Sequence, residues 1–120
     1  MLKIYSHKNP TFNWTIDFVY SSFNELDKYM ESNGYESDKS VGPLGRCYTN
    51  YEKNRCWIWI RHKHDYGSLA HECVHAVLDI YDHCLVKYHA DNSEHLCYFI
   101  QELVDAYLVG KKEAEVVDEA

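Results

Sequence analysis

The chain has 120 residues, 46% of them hydrophobic and 15% aromatic, which suffices for one core, so a single domain is expected. A formal net charge of −7 speaks against a nucleic-acid partner, because a phosphate backbone needs a clustered basic face, and Arg61-His62-Lys63-His64 is too short and too rich in histidine to form one. The opening MLKIYSHKNP lacks an apolar signal core and no later run nears the roughly 18 apolar residues of a spanning helix, so a soluble, cytoplasmic chain with no membrane partner is expected.

In chain order, Phe12 to Tyr20 alternates, with Trp14, Ile16, Phe18 and Tyr20 on one side, the period of a half-buried strand. Ser22 with Glu25 three residues later is a capping-box signature, Phe23, Leu26, Tyr29 and Met30 form an apolar stripe, and Asn33-Gly34 supplies the stop of a helix. Residues 35 to 45, with Gly42-Pro43 and Gly45, read as a loop. RCYTNY and RCWIWIRH then predict two strands joined by a turn near Glu52 to Asn54, and the second, apolar on both faces, belongs inside the fold. Asp65 to Ser68 turns the chain into a helix over about 68 to 82, and a second helix runs from about 92 to 109. Gly110 and the charged KKEAEVVDEA end the chain in a frayed tail, residues 111–120, leaving 1–110 as a single domain. The expected class is α+β, a small antiparallel or mixed sheet with the helices packed on one side.

Within SLAHECVHAVLDIYD, His71 and His75 stand four apart, so on a helix both imidazoles reach one ion. Glu72, about 100° further round, stands beside such an ion, where a carboxylate can take a proton from an activated water. The core stripe of this helix, Ala70, Cys73, Val74, Val77, Ile80 and Tyr81, lies opposite the histidines, which therefore face a cleft or solvent. Glu94, 18 residues after His75 and just past Asp91-Asn92-Ser93, projects from the polar face of the next helix and is the first candidate for a third ligand. It also suits a simple cap, and His95 is the alternative ligand.

These residues, His71-Glu72-Cys73-Val74-His75 followed by Asn92-Ser93-Glu94, resemble the gluzincin class of zinc metallopeptidases. His75 to Asp79, HAVLD, is similar to the thermolysin-like form of the active-site helix. Length and layout resemble the short single-domain metallopeptidase-like proteins of bacteria and phages. The resemblance, over roughly residues 57 to 105, implies a minimal zincin-like fold, a zinc ion on His71, His75 and Glu94, and Glu72 as general base in peptide-bond hydrolysis. Where many thermolysin-like enzymes carry an aspartate one turn after the third ligand, this chain has Tyr98, which leaves Asp79 as a candidate to orient a histidine.

The partner implied is a peptide or protein substrate, laid along an edge of the hairpin over residues 46 to 61, with a second copy or a partner protein completing the cleft. Tyr66, Tyr81, Tyr88, His89 and His95 are candidate oxyanion donors. The competing expectation is a zinc-binding interaction module that cuts nothing. His7, His62, His64, His83 and His89 read as surface residues, and Cys73 and the other four cysteines as free thiols, Cys73 packing in the core.

Overall fold

The computed structural model describes residues 1–35 and 44–119, with side chains as far as residue 115. The loop expected around Gly42-Pro43 lies outside the described residues. A four-stranded mixed sheet has the order β1-β2-β4-β3, formed by β1 (Lys3–Asn9), β2 (Trp14–Tyr20), β3 (Gly45–Asn50) and β4 (Arg55–Ile60). The two outer pairs are antiparallel and the central β2–β4 pair is parallel, with Phe18 opposite Ile58. The helices are α1 (Phe23–Ser32), α2 (Tyr66–His83) and α3 (Ser93–Glu119), the last preceded by a 3-10 turn over Ala90–Asn92.

The central pair needs cover on both sides because β4 is apolar on both faces, whereas β2 carries Trp14, Ile16 and Phe18 on one face and Thr15, Asp17 and Val19 on the other. Trp14, Ile16 and Phe18 of β2 and Cys56, Ile58 and Ile60 of β4 pack against α2 and α3. Val19, Trp57 and Trp59 point the other way, onto Leu26 and Met30 of α1. Alpha helices thus cover both faces, against the expectation of one, and the reason is the second apolar face of β4. No helix among the described residues is long and apolar enough to cross a membrane.

Local signals act where the sequence puts them. Ser22 and Glu25 form the reciprocal capping box of α1, Gly34 takes a φ of 87° after its end, and Asp65 caps α2 by accepting from the Ser68 amide at 3.1 Å. In the β3–β4 turn Asn50 accepts from the amides of Glu52 and Lys53, and Asn54 adopts a φ of 49°.

Two expectations need correction. Strand β1 escapes a hydrophobic reading because its inward side chains are Lys3, Tyr5, His7 and Asn9. They meet polar groups of α3: His7 Nε2 lies 2.7 Å from Glu102 Oε2, Asn9 donates to the same oxygen at 3.0 Å, and the Lys3 ammonium donates to the Ala114 carbonyl at 3.0 Å. His7 is therefore half-buried and paired. Nor does Gly110 end the second long helix, which continues to Glu119. A Cβ on Gly110 would stand 2.5 Å from Tyr5 and 2.7 Å from the Tyr20 hydroxyl, so this glycine lets α3 lie close on β1 and β2 instead of stopping it.

Candidate metal centre

Helix α2 presents its apolar stripe, Leu69, Cys73, Ala76, Val77, Ile80 and Tyr81, to the core, which leaves His71 and His75 exposed on its outer surface. Their Nε2 atoms converge to 3.2 Å. A hydrogen bond between the rings would give that separation. So would two nitrogens on a tetrahedral zinc, where bonds of about 2.0–2.1 Å make the edge about 3.3 Å. Together with a carboxylate oxygen of Glu72, these nitrogens form the one group of three or more such donors within 4.8 Å of one another among the described residues.

Glu72 behaves unlike its neighbours. It is only 6% exposed, and its Oε2 is buried without a hydrogen-bond partner. Burial raises its pKa above the usual glutamate range, against the pull of His71, His75 and Arg46. What covers it is the first residue of β3: a Cβ on Gly45 would sit 2.8 Å from Glu72 Cγ and 3.2 Å from the Trp59 carbonyl oxygen. Sequence reasoning placed Gly45 in a loop and missed this role, for which only the antiparallel register of β3 on β4 gives the signal. Leu44, Gly45, Gly67, Ser68, His71 and Glu72 line a cleft of about 340 Å³ there.

No protein-family model matches the chain, and no curated protein or solved structure is significantly similar to it.

Glu94 is exposed in the first turn of α3 and is not one of the gathered donors. The helices run antiparallel: His95 meets Tyr81 near the end of α2, while Lys111 lies 3.2 Å from the Tyr66 hydroxyl at its start. The first turn of α3 thus faces the last turn of α2, whereas His71 and His75 occupy its middle turns. His95 bonds through Nδ1 to the Tyr81 hydroxyl and packs among Phe12, Tyr81 and Phe99. Asp79 accepts from Thr49 Oγ1 at 2.8 Å, which ties α2 to β3 and does not orient a histidine. Cys73 is fully buried and its thiol is pushed up to about 12 by burial, in keeping with packing.

The donor set suits a borderline-soft divalent ion, since two neutral imidazoles and a nearby carboxylate are zinc's habitual partners. A buried carboxylate oxygen without a partner also needs something at that point, because leaving it bare costs about 1–3 kcal/mol.

Proposed function

We propose that the protein is a zinc-dependent metallopeptidase in which His71 and His75 hold the ion and Glu72 is the general base, with Glu94 offered as the third protein ligand by its spacing along the chain and not by its place beside the last turn of α2. The observation that carries this reading is the buried Glu72, one carboxylate oxygen of which lies within 4.8 Å of two converging imidazoles. Zinc bound there supplies Lewis acidity toward a carbonyl oxygen and lowers the pKa of water to about 7. Glu72 would take the proton of such a water on its carboxylate and return it to the leaving amine, a task suited to a carboxylate whose pKa burial has raised.

Glu94 enters through the gluzincin-like HExxH…E spacing. Its side chain makes no hydrogen bond or ion pair with another described residue. The substrate is an extended peptide added to β3, which pairs only with β4 among the described residues and begins at Gly45 beside Glu72. A second copy or a partner chain forms the opposite wall of the cleft. The site of action is the cytoplasm, where five thiols stay reduced.

The test is zinc content and peptide hydrolysis of the wild type beside Glu94→Ala and Glu72→Gln. About one zinc per chain, lost in Glu94→Ala and kept without turnover in Glu72→Gln, supports the peptidase. Zinc retained in Glu94→Ala removes that residue from the ligand set. Zinc without hydrolysis in the wild type, with unfolding by a chelator, favours a non-catalytic zinc-binding interaction module.

A further inference from the structure

The parallel neighbours β2 and β4 send the chain to opposite sides of the sheet. From β2 it passes into α1 on one face, and from β4 into α2 on the other. The two connections therefore part at the carboxyl ends of the strands and open a crevice there, the place where open sheets of this kind receive ligands. A cavity of about 330 Å³ occupies it, between Val19 to Ser22 at the end of β2 and Ile60, Arg61 and Lys63 at the end of β4. That volume suits a small molecule.

The crevice is basic on an acidic chain. Lys3, Arg61, Lys63 and Lys111 line it, four of the 12 Lys and Arg in a chain of net charge −7. Two carboxylates also line it: Glu25 is engaged by Ser22 in the capping box, and Glu115 lies 3.3 Å from Lys63. The lining side chains thus carry four positive charges against two negative.

The floor is neutral and fixed. Tyr20 donates to the Tyr107 carbonyl at 2.7 Å, Tyr107 donates to the Lys63 carbonyl at 3.0 Å, and burial raises both phenols above their ordinary range. Trp59 Nε1 donates to the Ser21 carbonyl at 3.0 Å, which holds the end of β2 in place.

We propose that this crevice binds a small oxyanion-bearing molecule, its phosphate or carboxylate group held by the lysines and Arg61 and its body resting on the tyrosine floor. This site is distinct from the His71–Glu72–His75 centre and does not depend on it. Amide chemical shifts of the full chain, titrated with inorganic phosphate and separately with citrate against sodium chloride of equal ionic strength, test it. Saturable shifts at Ser21, Ser22, Arg61 and Lys63 are expected with phosphate, citrate or both, and whichever binds identifies the anionic group.

In the double variant K63A/K111A the Kd should rise at least about tenfold, with Lys87→Ala as the unaffected control and His71→Ala retaining wild-type affinity. Shifts no larger than those with chloride, or a Kd unchanged in the double variant, would overturn the proposal.

Discussion

Gly45 and Glu72 are in contact across the β3–α2 junction: a single methyl on Gly45 would stand 2.8 Å from Glu72 Cγ. The carboxylate of the candidate metal centre is held against a bare strand backbone, and its position depends on that strand having no side chain there. Gly45→Ala needs no positive φ, but its Cβ would press on buried Glu72 and stand 3.2 Å from the Trp59 carbonyl oxygen. Overpacking of this kind should cost about 1–3 kcal/mol of global stability, and the proposed hydrolysis should fall at least about tenfold through misplacement of the carboxylate. Denaturant melts beside peptide turnover separate the two effects.

Glu72→Gln should abolish turnover yet stabilise the chelator-treated protein. The buried Oε2 lacks a partner, and a neutral amide has no ionic desolvation cost and can donate to an imidazole nitrogen. A gain of about 1 kcal/mol, roughly 3–5 °C in Tm, is expected by calorimetry. A variant melting below wild type under these conditions would show that the carboxylate is satisfied.

At Gly110 helix propensity and packing oppose each other. Alanine would gain about 1 kcal/mol as a helix former, but its Cβ would overlap Tyr5 and approach the Tyr20 hydroxyl to 2.7 Å. Overpacking against two ring-bearing strands costs about 1–3 kcal/mol. Gly110→Ala should thus be net destabilising, as read by urea unfolding, and Tyr5→Ala in the same background should recover part of the loss.

The cap of α2 gives a pH signature. Ser68 holds the Asp65 carboxyl below the usual aspartate range through side-chain and backbone hydrogen bonds. A depressed folded-state pKa adds stability above the unfolded value of about 3.9 and loses it as pH falls through the folded value. Asp65→Ala should accordingly melt lower than wild type near neutral pH, with the difference closing as the pH falls through the folded-state value. Parallel melts across that range check the sign.

The sequence by itself determined the pieces governed by short-range physics. The capping residues Ser22 and Glu25 fixed the start of α1 because a side-chain oxygen and an amide three residues on are always within reach, whereas α2 starts at Tyr66, two residues before the expected position, with Asp65 as its cap. The apolar alternation of Trp14, Ile16 and Phe18 set the inner face of β2, and the four-residue spacing of His71 and His75 set two nitrogens on one side of α2.

Tertiary structure decided what depended on chain segments far apart. Strand β1 had no hydrophobic signature because its inward residues are satisfied by Glu102 and Ala114 on α3, some hundred residues away. Gly110 looked like a helix stop because sequence cannot show the close approach of Tyr5 that makes a glycine necessary inside a helix. The position of Glu94 relative to the histidines was open for the same reason. Spacing along a chain fixes the face of one helix, whereas the connection over residues 84 to 92 leaves the register between two helices to packing, here of His95 on Tyr81 and Lys111 on Tyr66.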